Sequence, residues 1–305
     1  MEEAAGDEVM NSMTQLGKLA QREFASVRKS VSEPDNGIGP SGTPRRRYRT
    51  IWISDIHLGT RGCNDRLLID FLDHVDSEYL YLVGDIIDGW RMRKRFYWPE
   101  RHNAIVRRVM KRAKRGTEVI YIPGNHDEMF RQFAGMNFGG VEIRSRAVHT
   151  TADGRKLLVV HGDEFDAIVL AHRWLAFLGD WAYRTLMQLN LAVNAFRRFF
   201  GMEYWSLSKH AKHKVKSAVS VISRFEEAVA HEAKSKGADG VVCGHIHTAE
   251  IRDFDGTIYY NDGDWVEGCT ALVEHMDGTM EILHWPDEIK KRDGQPVKLK
   301  LRAAA

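Results

Sequence analysis

Five short segments of this 305-residue chain carry side chains able to hold cations: Asp55-Ile56-His57, Gly84-Asp85, Gly124-Asn125-His126-Asp127, His161-Gly162-Asp163 and Gly244-His245-Ile246-His247. They offer carboxylate oxygens, an amide oxygen and imidazole nitrogens, with no thiolate. Such a set suits Mn²⁺, Fe or Zn²⁺ in an open site better than a structural zinc site, with manganese the first choice. Each segment follows an apolar, β-branched run and is expected at a strand end. In open α/β sheets the loops beyond the carboxyl ends of strands line one crevice, so the five should converge. Alternation along an extended chain would turn Asp55 and His57 to one side, and likewise His245 and His247. Gly84 would let the backbone beside Asp85 approach a cation. One such motif is a weak signal; five in order, each after an apolar run, are a strong one.

The elements that must position these segments alternate in the first half of the chain. Arg49–Ser54 reads as a buried strand, Arg66–Val75 as a helix, Tyr79–Val83 as a strand, Asn103–Lys114 as a helix and Glu118–Ile122 as a third strand. That order predicts right-handed βαβ units and a mainly parallel sheet. In the second half, Val141–Thr150, Lys156–His161, Gly240–Cys243, Glu250–Phe254, Thr257–Asn261, Thr270–His275 and Thr279–Trp285 all read as strands. Asp153-Gly154, Asp255-Gly256 and Asp277-Gly278 are hairpin signals between them. These strands are expected to build a second, mixed sheet packed on the first. Helical periodicity interrupts them from Asp166 to about Glu232, predicting a helical insertion over the sheet edge.

Together the motifs resemble those of the calcineurin-like metallophosphoesterase superfamily, over about Tyr48 to Trp285. The resemblance implies an α/β fold, a four-layer αββα sandwich, here with a helical cap. It implies one metal on Asp55, His57, Asp85 and His247, and a second on Asp85, Asn125, His161 and His245, with Asp85 shared. Two such ions lower the pKa of a shared water, and attack of the bridging hydroxide on phosphorus is the expected reaction. His126 is then the expected acid at the leaving oxygen. Asp127 is expected either to orient that imidazole or to cap a helix.

An insertion between the HGD and GHxH motifs is similar to that of the UDP-2,3-diacylglucosamine hydrolase branch. Members of that branch show GNRD where this chain has Gly124-Asn125-His126-Asp127. The likeness implies cleavage to UMP and 2,3-diacylglucosamine 1-phosphate in lipid A biosynthesis. Asn125, His126, Asp166, Ser208, Lys212, Lys216 and His245 are the expected substrate contacts. Within the insertion, Leu170, Trp174, Phe177, Leu178 and Trp181 follow helical spacing. An apolar lid beside cations suits an amphiphile with a phosphate head. Other phosphodiesters, phosphomonoesters or phosphoproteins remain alternative substrates, and a scaffold built on a phosphoesterase fold is an alternative from another class.

Composition sets the outer limits. The chain is 43% hydrophobic and 28% charged, as usual for a protein with a full core. Cys63, Cys243 and Cys269, an odd number without CxxC spacing, point to a reducing compartment and no disulfide framework. The acidic start MEEAAGDEVMNSM lacks a secretory pattern. No run of about 18 apolar residues would span a bilayer. The expected location is therefore cytoplasmic, and the resemblance to the hydrolase branch implies peripheral contact with an anionic inner-membrane face. Residues 1–47 read as an appendage with linker chemistry and 287–305 as a basic tail around a 48–286 domain. From Arg91 to Arg115 eleven Lys and Arg face one acid, Glu100, with Trp90, Phe96, Tyr97 and Trp98 interleaved. That stretch could meet anionic lipid or a nucleotide diphosphate, or be a solvated helix face; no nucleic-acid motif accompanies it.

Overall fold

A computed structural model describes residues 37–39, 42, 44–166 and 212–294, with side chains from 222 onward in the helix that opens the last stretch. The appendage before Gly37, the lid residues 170–181, Ser208 and the tail after Gly294 lie outside the described residues, as do the side chains of Lys212 and Lys216. The chain divides into two units, Met1–Asp163 with Ala233–Ala305, and Glu164–Glu232.

The first unit holds two sheets. Strands β1 (Arg46–Ile53), β2 (Val75–Val83), β3 (Glu118–Ile122), β4 (Asn137–Phe138) and β5 (Val141–Ile143) are joined by β11 (Thr270–Glu274) and β12 (Met280–His284) in the order β12-β11-β1-β2-β3-β5-β4. The second sheet runs β6 (Ala147–Thr150), β7 (Lys156–Val159), β8 (Gly240–Cys243), β10 (Thr257–Asn261), β9 (Glu250–Phe254). β1, β2, β3 and β5 pair in parallel, as do β7, β8 and β10. Helices α1 (Asp65–His74), α2 (Gly89–Lys94) and α3 (Glu100–Lys114) link the first strands. Helix α4 (Lys212–Ser235) precedes β8, and α5 (Trp285–Arg292) follows β12.

Period-two alternation splits the core. In β1, Ile51 and Ile53 join Leu68 and Phe71 of α1 and Val109 of α3 on the helical side. Trp52, between them, points the other way, into a layer shared with Tyr81, Ile120, Leu157, Val159, Val242 and Leu272. Residues of both sheets meet there, so the sheets pack face to face. Trp52 is fully buried and stacks on Tyr81 with ring centroids 5.7 Å apart; truncating it to alanine should cost about 3–5 kcal/mol. An ionic network also joins the sheets. Glu274 of β11 accepts from Arg49 Nη1 at 2.8 Å, Thr50 Oγ1 at 2.5 Å and the Ala152 amide at 2.7 Å, and meets His149 of β6 at 2.9 Å.

Two expectations need correction. The predicted strand Val141–Thr150 is two strands in different sheets; Arg144-Ser145-Arg146, polar and unfit for a core strand, carries the chain from one to the other. The final hairpin does not join the second sheet. β11 pairs antiparallel with β1, and β12 lies outside it. The hairpin signals are realised, with Asp255 at φ 49° and Gly256 at 84° between β9 and β10. All three cysteines are free and buried. Among the described residues, no helix is long and apolar enough to cross a membrane.

Helix α3 leaves a pH signature. His102 is buried and accepts from the Gly59 amide through Nδ1 at 3.1 Å. Burial depresses its pKa from 6.5 to about 4. Between these values the unfolded chain binds the extra proton, so stability is lost as pH falls from about 6.5 to 4, by on the order of 3 kcal/mol. His102→Asn, which keeps an acceptor for Gly59, is expected to flatten this slope in denaturant titrations from pH 4 to 7. An unchanged slope would assign the acid sensitivity to other groups.

Candidate metal centre

Six strand tips deliver polar groups to one rim. Asp55 and His57 follow β1, Asp85 follows β2, Gly124–Asp127 follow β3, and His161 follows β7. His245 and His247 follow β8, and Asp262 and Asp264 follow β10. The tips are stitched together by main-chain bonds: Asp55 N to Gly84 O at 3.0 Å, His57 N to Asp85 O at 2.9 Å, and Gly244 N to His161 O at 3.1 Å.

The local conformation differs from an extended alternation. Asp55, His57, Asp85, His245 and His247 have φ of 48°, 54°, 53°, 69° and 53°. Left-handed backbone costs roughly 1–3 kcal/mol per residue and concentrates where structure over-determines it for function. Gly84 serves His161 rather than a cation: a Cβ there would lie 2.2 Å from His161 Nδ1.

The donors gather closely. His247 Nε2 is 3.1 Å from Asp55 Oδ1, and His161 Nε2 is 3.5 Å from Asp85 Oδ1. His57 Nε2 lies 4.0 Å from Asp55 Oδ1 and 3.9 Å from Asp85 Oδ2, with His126 Nε2 also 3.9 Å from Asp85 Oδ2. Three sets have donor atoms within 4.8 Å of one another: Asp55, His57 and His247; Asp55, Asp85 and His161; and His57, Asp85 and His126. The His245 ring lies 5.1 Å from that of His161, and its amide donates to Asp55 Oδ2 at 2.9 Å.

These residues fit divalent metal on a direct test. Asp55 Oδ1, Asn125 Oδ1 and His161 Nε2 are buried atoms with no hydrogen-bond partner, although His247 Nε2 is near the first in distance. Buried polar atoms are rarely left so, and bound cations would satisfy such atoms. A Cβ on Gly124 would stand 2.4 Å from Asp85 Oδ1 and 2.6 Å from His161 Nε2, in the space between these donors. The field is strongly anionic. Burial opposes ionisation of Asp85, but contact with His161 and the His126 amide hold its pKa at about 2. Burial likewise lowers His161, yet Asp85 and Asp55 lift it to about 10. Contacts with Asp264 and Asp55 take His247 to about 10.

The surrounding groups revise one role. Asp127 does not touch the His126 ring. It is fully buried and accepts from Gly124 N at 2.5 Å, Ile86 N at 2.8 Å and the Tyr121 hydroxyl, tying the GNHD loop to the tip of β2. Nor does its side chain cap the short 3₁₀ turn that follows. Asp88 is the carboxylate beside the imidazole instead: its Oδ1 lies 3.1 Å from His126 Nδ1 without completing a hydrogen bond, and its Oδ2 pairs with His57 Nδ1 at 3.2 Å. Burial lowers the His126 pKa, and the Asp88 contact with the charges of Asp85 and Asp88 more than offsets this. Asp88 and Asp264, whose Oδ2 is 3.6 Å from His247 Nδ1, escaped the sequence reading. Their signals were the second carboxylate of Gly84-Asp85-Ile86-Ile87-Asp88 and the acidic tip after β10. Trp90, 43% exposed, lies over His126 with ring centroids 4.3 Å apart. Of the expected substrate contacts, Asn125, His126 and His245 are in this cluster, and Asp166 belongs to the second unit.

A family model of the calcineurin-like phosphoesterases matches residues 48–249. The chain is 24% identical to a UDP-2,3-diacylglucosamine hydrolase of Blochmanniella pennsylvanica, over 66% of this chain and 80% of that protein. It is 21% identical to one of Neisseria meningitidis serogroup B, over 74% and 93%. Among solved structures it is similar to zinc-complexed Vps29 of Entamoeba histolytica, at 12% identity and a TM-score of 0.39, covering 77% of this chain and 98% of that one.

Proposed function

The chain belongs to the calcineurin-like phosphoesterase family, a phosphoester hydrolase by that membership, and on this premise we propose a dinuclear centre that cleaves a nucleotide-linked lipid diphosphate. The proposed substrate is UDP-2,3-diacylglucosamine, with UMP and 2,3-diacylglucosamine 1-phosphate as products. One observation supports the metal reading: buried atoms of Asp55, Asn125 and His161 that complete no hydrogen bond, although His247 and Asp85 stand close to the first and third. The substrate reading is supported by the two named relatives, matched over 80% and 93% of their lengths.

Asp55, His57, Asp85 and His247 would hold one ion, and Asp85, Asn125, His161 and His245 the other. Manganese is the proposed metal. When bound, two such ions supply an activated water and Lewis-acid polarisation of the phosphoryl group. The chain's own residues orient the donors. The Val83 carbonyl accepts from His161 Nδ1 at 2.9 Å, leaving Nε2 as the donor. Asp88 fixes His57 in the same sense, and Asp264 lies against Nδ1 of His247. His126, with Asp88 Oδ1 3.1 Å from its Nδ1, presents Nε2 to the centre, where it can give a proton to the leaving oxygen.

Purified protein with Mn²⁺ should release UMP from UDP-2,3-diacylglucosamine faster than it hydrolyses aryl phosphates. Turnover of aryl esters without turnover of the lipid would retire this substrate while keeping the chemistry. Fewer than one ion per chain after manganese supplementation would revive the scaffold alternative. Asp88→Asn should lower both manganese affinity and rate by roughly 10- to 100-fold, as losses of partners to metal-binding histidines do. Unchanged values in a metal titration and rate assay would remove Asp88 from this role.

A further inference from the structure

The basic segment 91–115 separates into two parts once its partners are visible. On α3 and its approach the cations are largely spent on acids of α1 and its flanks. Arg101 pairs with Asp65 at 2.8 Å, Arg108 with Asp73 at 2.7 Å and Arg112 with Asp76 at 3.3 Å, while Arg107 meets Glu100 at 2.5 Å. On α2 and its end the pattern reverses. Arg91, Arg93, Lys94 and Arg95 are all exposed, and among the described residues no acidic side chain pairs with any of them. Met92 anchors the helix, buried to 3% exposure, and Asp88 caps it by accepting from the Arg91 amide at 2.8 Å. At 100° per residue, Trp90 and Lys94 lie on the face opposite Met92, with Arg91 and Arg93 beside them. Two exposed aromatic side chains, Trp90 at 43% and Phe96 at 38%, bracket the four cations.

We propose that the outer face of α2 docks on an anionic lipid bilayer surface, with Trp90 and Phe96 entering the headgroup layer. Unneutralised Lys and Arg side chains gain free energy near such a surface, and amphipathic aromatic rings settle at its interface. Nucleic acid is the poorer fit, since a helix of 6 residues is too short to lie along a groove and no nucleic-acid-binding motif accompanies it. Because Asp88 begins this helix and Trp90 covers His126, docking would set the rim of the metal centre against the membrane. The proposal goes beyond the substrate reading: it holds whether or not the hydrolysed molecule is a lipid.

The test is sedimentation of the full chain with vesicles of phosphatidylcholine, alone or with about 30 mol% phosphatidylglycerol, at low and high salt. Wild type should bind the anionic vesicles, with binding weakened by salt, and spare the neutral ones. Arg93→Glu with Lys94→Glu should lower vesicle affinity by at least roughly 30-fold. Hydrolysis of a water-soluble aryl phosphate by that variant should be unchanged. Lys111→Glu with Lys114→Glu, the same charge change on α3, should leave vesicle binding close to wild type. Equal losses in both double variants would overturn the proposal, as would no preference for anionic vesicles. Retention on RNA through Arg93 and Lys94, with vesicles ignored, would overturn it in favour of a nucleic-acid surface. None of these readouts needs the lipid substrate, so failure here and failure of the substrate reading are separable.

Discussion

Asp85→Asn is expected to lower phosphoester turnover by roughly 10³ or more and to halve or worse the manganese content of the purified protein. Its carboxylate meets four groups at once. Oδ1 accepts from the His126 amide at 2.9 Å and faces His161 Nε2 at 3.5 Å, while Oδ2 stands 3.9 Å from both His57 Nε2 and His126 Nε2. Asparagine keeps the shape and an acceptor for the amide, so folding should survive. What it removes is the charge between the two halves of the cluster. Metal analysis and rate should fall together. Full occupancy with a normal rate would show that Asp85 is not the shared ligand.

His126→Asn should behave differently: a rate loss of roughly 10²–10⁴ with metal content intact. In the proposed assignment this proton donor belongs to neither metal shell, so its removal should not empty them. The rival is specific, because His126 Nε2, His57 and Asp85 also form a set able to hold an ion. Metal analysis decides between them. Loss of an ion in the variant would make His126 a ligand, and the acid role would need another group. The pH profile gives a second view. Asp88 keeps the imidazole pKa above its usual value despite burial, so the donor form persists to higher pH and the alkaline limb should report its loss. That limb should vanish in the asparagine variant.

Much of the frame could be read from the chain because its cues were local. Glu118–Ile122, Gly240–Cys243, Glu250–Phe254 and Thr257–Asn261 have the predicted bounds, each closed by glycine, proline or a polar cluster. The five motifs sit beyond strand ends as their apolar leads implied. What local patterning cannot encode is partnership across the sheet. Thr270–Glu274 looks like any second-half strand, yet its place beside β1 depends on packing far from it in sequence. Helix α2, at 6 residues, is too short for a period to show. The place beside His126 expected for Asp127 belongs to Asp88 for a similar reason. Adjacency in the chain suggested Asp127 for His126, whereas the turn after β3 sends that carboxylate down to the amides of Ile86 and Gly124. The space beside the imidazole is filled by a residue 38 positions upstream, Asp88.

The left-handed backbone at Asp55, His57, Asp85, His245 and His247 bears on how this centre should be dissected. An alanine scan there would register two changes at each position, a missing ligand and the loss of a residue type that accepts left-handed backbone more readily than alanine. Glycine tolerates the torsion outright and asparagine nearly so, which makes them the honest scalpels. The same torsions should make these five codons intolerant of valine and isoleucine in any saturation library, even one selected for expression alone.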